Sequence, residues 1–275
     1  MSFHIVIEPG RTEKNYWKDL WRYRELFYIL SWRDIKVRYK QTTLGILWAI
    51  LRPLLTMLIF TFVFGTIAGM KFASTVPYAI IVFAGLLPWQ FFSNALSESG
   101  NSLVGNERLI TKVYFPRMII PASSVITSFI DFFISFVILL ALFVYYRYVP
   151  PLQVFVMPIF WIMAFIASIG PGLYLAALNV KYRDFRHVIP FIIQFGLFIS
   201  PVGFSSEMIP AQWRWLYAFN PIAGVIDGFR WCIVQDAPNP LVYYPFYISL
   251  TVSLLLLGFS IRQFRKMEKN FADLV

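Results

Sequence analysis

The sequence predicts an all-α integral membrane protein with six transmembrane helices, and three observations carry that prediction. Of 275 residues, 59% are hydrophobic and 14% charged, whereas a soluble domain has about 45–50% apolar and about a quarter charged residues. The charges are also bunched: residues 53–70, 72–97, 148–180 and 237–261 contain no Asp, Glu, Lys or Arg. A crossing takes about 20 predominantly apolar residues, so each run is long enough. Finally, the basic residues alternate between successive loops, which sets a topology.

The predicted spans are about 44–68, 76–96, 118–146, 152–180, 188–204 and 243–262, the fifth being short and ending at Ser200-Pro201. Nineteen basic residues fall in the segment before Leu44, the 97–117 and 181–187 loops and the C-terminal end. The alternate loops hold only Lys71, Arg147, Arg214 and Arg230, and Arg52 lies within the first span. Short loops rich in Lys and Arg stay cytoplasmic, so both termini are expected inside. The domain plan is a cytoplasmic segment 1–43, a transmembrane domain 44–262 and a cytoplasmic tail 263–275. Charges recur every few positions from Glu8 to Lys40, which leaves no signal-type apolar core there. The first true span is therefore expected to direct insertion and to stay in the mature protein.

The net charge of +10 needs no nucleic acid to explain it, because the cytoplasmic segments alone hold 19 basic and 10 acidic residues. The single cysteine, Cys232, excludes an internal disulfide or a cysteine-based metal cluster.

Two segments are neither spans nor ordinary loops. Residues 15–40 are predicted to form an amphipathic helix lying in the membrane interface. Lys18, Arg22, Glu25, Arg33, Lys36 and Lys40 recur at helical spacing, while Trp17, Leu20, Trp21, Phe27 and Trp32 supply an apolar side. A soluble helix packed on a partner is the alternative. Residues 205–242 are a long external segment whose WRWLYAFNPIAGVIDGFRW is too apolar for a solvated loop and too interrupted for a span. A re-entrant hairpin broken at Asn220-Pro221 fits, since breaks at membrane depth survive only where protein or a cavity satisfies the backbone. A loop resting on the headgroups, anchored by aromatics such as Trp213 and Trp215, is the alternative.

Inside the spans, polar and small residues form stripes. Ser124, Ser128, Asp131 and Ser135 share one face of the third span. Asp131, the one acid at membrane depth, marks either a wet pathway or a hydrogen-bond seam between helices, and no intramembrane Lys or Arg is an obvious partner. Ala164, Ser168, Gly172 and Ala176 in the fourth span, and Gly65 and Gly69 in the first, have the spacing that lets helices approach closely. Gly170-Pro171-Gly172 is expected to kink the fourth helix. Phe191, Phe195 and Phe198 line one face of the fifth span. They are lipid-facing packing or a smooth aromatic wall on which sugar rings can slide.

Catalytic chemistry is missing. No G-x-x-x-x-G-K-[ST] phosphate loop, G-x-S-x-G elbow or H-E-x-x-H helix occurs. His4 and His187 both lie outside the spans, and no nucleophile has a base within reach. No catalytic residue and no metal site is assigned, and energy for any work must come from a partner.

The loops resemble a known family. VRYKQTTLGILWAILRP (37–53), NERLITKVYFPRMIIP (106–121), NVKYRDFRHVIP (179–190), ISPVGF (199–204), NPIAGVIDGFR (220–230) and the closing FRKMEKNFADLV stand in the order found in type-2 ABC transporter permeases of the polysaccharide-export branch. The resemblance implies a six-span subunit that forms a homodimer in the bacterial inner membrane and binds two ATP-binding cassette subunits, which carry the ATP and magnesium. It implies lipid-linked polysaccharides as cargo: O-antigens, teichoic acids or capsules. It places coupling elements around Asn106, Glu107, Arg108 and Lys112 and around Tyr182, Arg183, Asp184, Phe185 and Arg186. The 205–242 segment, with Trp213, Trp215, Asn220, Pro221 and Arg230, becomes an external gate. Phe191, Phe195, Phe198, Ser124, Ser128 and Asp131 become candidates for the conduit. O-antigen export leads; a drug or small-lipid exporter of the same architecture and a membrane enzyme of glycolipid assembly compete.

Overall fold

The structure, a computed structural model, describes residues 16–40, 45–69 and 76–271. Among these residues the fold is helical throughout. Two helices, α1 (Tyr16–Arg22) and α2 (Arg24–Lys40), precede α3 (Gly45–Phe60), which continues as a π-helical stretch Thr61–Ile67. Then come α4 (Tyr78–Gly105), the short α5 (Glu107–Lys112), α6 (Ile119–Tyr145), α7 (Met157–Lys181) and α8 (Phe185–Ile199). A run of short turns leads through α9 (Arg214–Tyr217) to α10 (Ala223–Ile233), and α11 (Tyr244–Met267) closes the bundle.

Five of these stretches are long and apolar enough to cross a membrane: Ile46–Ile67, Tyr78–Gly105, Ile119–Tyr145, Leu152–Lys181 and Tyr244–Met267. The predicted fifth span at 188–204 is different. Its helix, α8, begins three residues earlier and has 15 residues, a length of about 22 Å against a hydrocarbon core of about 30 Å. Pro201 explains the early stop, because it forces Ser200 into an extended conformation (φ −82°, ψ 149°). The other ends also follow local chemistry. Pro158 and Pro245 sit in the first turns of α7 and α11, where a missing N–H costs nothing.

The helix α4 is the mast of the bundle. Ile80, Phe83, Ala84, Leu86, Ala95 and Leu103 are all fully buried, enclosed by α3, α6, α7, α8 and α10. Small residues allow that enclosure. A Cβ on Gly172 of α7 would lie 2.8 Å from Ser99 Oγ, and one on Gly100 would lie 2.5 Å from Ile189 of α8. The stripe Ala164, Ser168, Gly172, Ala176 is buried as the spacing predicts. Through Gly170-Pro171-Gly172, α7 remains one helix. A Cβ on its Gly170 would lie 3.0 Å from the Leu257 backbone nitrogen on α11.

Two apolar cores result. One fills the middle of the bundle, around Phe83, Phe91, Phe132, Phe160 and Phe229. The other gathers Tyr16, Leu30, Leu103, Ile110, Phe115, Met118, Val180, Phe264 and Phe271 at the end rich in Lys and Arg, hereafter the basic end. The N-terminal helices dock there. Along α1, α2 and the turn between them an inner row of Tyr23, Phe27, Leu30 and Ser31 faces the protein, while Trp21, Tyr28, Ile29, Trp32 and Val37 are exposed on the outside beside Arg33 and Lys36. The expected segregation into one apolar and one charged face is therefore corrected: both faces carry apolar groups, the inner for protein and the outer mixed with cations.

At the opposite end, α6 stops through a Schellman motif. Tyr148 N–H donates to Phe143 O at 2.9 Å, Arg147 N–H to Val144 O at 3.2 Å, and the Phe143 and Tyr148 rings pack 5.7 Å apart. Arg147 occupies the left-handed position of this motif, at φ 52°, where glycine is usual. The strain of a side chain there is about 1 kcal/mol. Arg147→Gly is expected to stabilise the detergent-solubilised protein by about that amount, read as a raised thermal midpoint.

Candidate functional site

Three arrangements bring predicted site residues together. The first lies at the basic end, where two short segments meet. Buried Asn179, near the end of α7, donates from Nδ2 to Gly100 O at 3.0 Å and to Asn101 Oδ1 at 3.2 Å. These bonds hold the ends of α4 and α7 side by side. The turns that follow then share a cavity of about 360 Å³ lined by Glu107, Asn179, Arg183, Asp184, Arg186 and His187. Asn106 ends α4, donating to Ser102 O at 2.8 Å and accepting from Arg33 of α2 at 2.8 Å. Ile110 anchors α5 in the apolar core, leaving Glu107, Arg108 and Lys112 exposed. Across the cavity Tyr182 is exposed with Lys181 Nζ 4.8 Å above its ring, and Phe185 packs 6.4 Å away. Of the nine residues predicted as coupling elements, Glu107, Arg183, Asp184 and Arg186 line this cavity, and Asn106, Arg108, Lys112, Tyr182 and Phe185 lie on the two segments that form it.

The second arrangement is the 205–242 segment. Its helices α9 and α10 are separated at Asn220-Pro221, and the carbonyls of these two residues find a donor. Asn220 Nδ2 donates to Ser200 Oγ at 2.9 Å, and Ser249 Oγ donates to the carbonyls of Asn220 and Pro221 at 3.0 Å. Its second limb, α10, is buried among α4, α7 and α11. Arg230 explains how. Its guanidinium donates to Phe204 O at 2.7 Å and Val202 O at 2.5 Å, carbonyls stranded when Pro201 ends α8. Gly85 makes room: a Cβ there would lie 2.9 Å from Arg230 Nη2. One turn away, Asp227 accepts from Ser206 Oγ at 2.8 and 2.7 Å. Trp213 and Trp215 stay exposed on the outer limb.

On α8, Phe191, Phe195 and Phe198 are each more than half exposed, and the first two rings stack at 5.9 Å with 9° between planes. The helix touches α4 through Ile189 over Gly100 and through Gly196 against Trp89. Its aromatic face is open.

The third arrangement corrects the reading of Asp131 as an acid without a basic partner. Its partner comes from the N-terminal helix: Arg38 Nη1 lies 3.0 Å from Asp131 Oδ2, while Nη2 of the same guanidinium lies 3.0 Å from Glu98. The Tyr39 hydroxyl donates to Asp131 Oδ1, and Asn94 Nδ2 approaches Oδ2 at 3.5 Å. Burial, with Asp131 as the second cause, raises the Tyr39 hydroxyl above its ordinary pKa, so it remains a donor. Ser124 and Ser128 are buried and bond back to Ile120 O and Ser124 O. Within the single chain this stripe packs between helices.

Sequence reasoning missed Arg38, Tyr39, Asn94 and Glu98. One signal existed: Asn94 and Glu98 stand four apart at the end of a charge-free run, so they share a helix face that must meet something polar. Removing one partner of a largely buried ion pair is expected to cost about 3 kcal/mol. Arg38→Ala and Asp131→Asn should each destabilise strongly, and the double variant should cost clearly less than their sum. Thermal unfolding in detergent measures the cycle, and additive losses would mean the pair contributes nothing as a pair.

The family model described as ABC-2 type transporter matches residues 25–234. The O-antigen export system permease protein RfbA of Klebsiella pneumoniae is 28% identical over 91% of this chain and 95% of its own length. RfbA of Myxococcus xanthus is 27% identical over 93% of this chain and 97% of its own length. The polysialic acid transport protein KpsM of Escherichia coli is 24% identical over 85% and 91%. A family match across most of the chain, including all three arrangements above except the C-terminal helix, means that this chain belongs to the ABC-2 type transporter family.

Proposed function

We propose that the chain is the permease subunit of an ATP-driven exporter that moves a lipid-linked polysaccharide, O-antigen in the first place, across the bacterial inner membrane. The observation that carries this reading is end-to-end similarity to O-antigen export permeases, at 91–93% of this chain in two organisms. Capsule export is the second reading, favoured by the lower similarity to the polysialic acid transport protein and to a capsule polysaccharide export inner-membrane protein of Neisseria meningitidis, at 23% identity. Both readings share one mechanism and differ in the glycan.

On this reading the basic end is cytoplasmic, in keeping with the positive-inside rule. Two ATP-binding cassette subunits, holding the ATP and magnesium, dock at the cleft between α5 and the α7–α8 turn. The cleft supports this because its walls are held in place by Asn179 and Asn106 while its rim stays exposed. The remaining crossing, fifth in chain order, is made by α8 together with the turns after Pro201, and α9–α10 form the re-entrant gate beside it. Buried Arg230 supports a re-entrant path, since it satisfies backbone carbonyls that lipid could not.

One chain packs too tightly to enclose a glycan. The conduit is formed between two copies, with α8 as a wall: it is open along its aromatic face and too short to cross alone. Apolar rings offer a sugar chain stacking contacts without fixed hydrogen bonds, which favours sliding over tight binding. Asp131 holds the N-terminal helix and is not a proton relay.

Charge reversal at Arg183 or Asp184 tests the coupling claim. Membrane insertion should be retained while ATP hydrolysis in the complex no longer drives export; normal export in both variants rejects the claim. Replacing Phe191, Phe195 and Phe198 together with Ala should lower polysaccharide export without loss of assembly, measured as surface glycan in a deletion strain. Unchanged export would return the rings to a packing role.

A further inference from the structure

The exposed rim of the cleft leaves a second feature of the basic end unused. Beneath it lies a polar knot around Glu268, in the 3₁₀ turn Glu268–Asn270 that follows α11. Glu268 Oε1 accepts from the backbone N–H of Arg117 at 2.6 Å and from the Tyr16 hydroxyl at 3.4 Å. In return the Arg117 guanidinium donates to the Glu268 carbonyl. Arg265, one turn back on α11, lies over the Tyr16 ring at 4.7 Å. One residue therefore joins three segments far apart in sequence: the first helix, the segment between α5 and α6, and the last span.

The knot sits in an apolar frame. Phe264 and Phe271 flank Glu268 in sequence, are fully buried and meet edge-on at 5.4 Å. Ile110, Phe115 and Met118, on either side of the α5–α6 connection, belong to the same core. Burial raises the Glu268 carboxyl above its ordinary pKa, and the Arg117 amide and the Tyr16 hydroxyl oppose that shift. A carboxyl withdrawn from water to this degree is retained only with dedicated donors.

The connection from α5 to α6 is short. Val113 is extended (φ −130°, ψ 134°), Phe115 is buried, and Arg117 lies two residues before α6. A displacement of α5 cannot be absorbed there without pulling on the Arg117 amide. We propose that Glu268 is a positioning residue: it clasps the segment after α5 to the end of α11 and to α1, so that a push on α5 reaches the last span and the N-terminal helix as well as α6. This rests on the reading of α5 as a docking element for an ATP-binding subunit.

Two variants and two readouts test it. Glu268→Gln keeps the accepting oxygen, and Glu268→Ala removes it. In the full chain in lipid nanodiscs, Glu268→Ala should speed amide exchange in peptides covering 107–118, while Glu268→Gln stays close to the parent chain. In the complex purified with its ATP-binding subunit, Glu268→Ala should lower export per ATP hydrolysed by about tenfold, with Glu268→Gln within about twofold. A merely structural role would lower assembly or thermal stability and leave export per ATP unchanged; that result overturns the proposal. Unchanged exchange in Glu268→Ala overturns it too. If the parent chain binds no ATP-binding subunit, the functional reading fails, and the exchange measurement still decides whether the clasp exists.

Discussion

A helix surrounded on all sides by other helices must be narrow where they touch it and polar only where they can answer, and α4 meets both demands. Gly100 admits Ile189 of α8, Ser99 meets Gly172 of α7, and Gly85 admits the Arg230 guanidinium. Each contact is set by the absence of a side chain at one position, so each fixes a helix to within a fraction of an ångström. The polar groups of α4 are matched in the same way. Glu98 and Asn94 face Arg38 and Asp131, Asn101 accepts from Asn179, and Asn106 accepts from Arg33. The N-terminal helix, the cleft at the basic end and α10 all take their positions from this one element.

Three buried or half-buried charge centres then tie segments that are distant in sequence. Asp131 joins α6 to α2, Arg230 joins α10 to the segment after α8, and Glu268 joins α11 to α1 and to the segment before α6. Removing such groups from water is costly, and their mutual attraction roughly offsets that cost. Their effect is on choice of arrangement. Any other packing of the same helices would leave a carboxylate or guanidinium without partners in apolar surroundings.

This organisation separates rigid from open surface in a way that suits transport. The middle of the bundle is closed and lined with interlocking aromatic rings, from Phe91 through Phe132 to Trp161 and Phe229. Uncovered apolar surface concentrates on the outer helices, on the π-helical end of α3 and along α8. Movement driven from the basic end would therefore shift helices as packed units, because the interior offers no room for them to deform singly.

The sequence by itself determined that the chain lives in a membrane, where its long crossings fall and that its cations gather at one end. These follow from composition and period, which neighbours in sequence carry. The helix break at Asn220-Pro221 and the small-residue stripe on α7 were legible for the same reason, since proline and helical spacing act locally. The tertiary structure alone decided which partners the charges took. Arg38 reaches Asp131 across 93 positions, and Glu268 reaches Arg117 across 151; no local pattern encodes such pairs. It also decided that α8 is open along its aromatic face and that α10 is buried. Hydropathy counts apolar residues but cannot say whether lipid or protein covers them, and that depends on which helix α4 leaves room to approach.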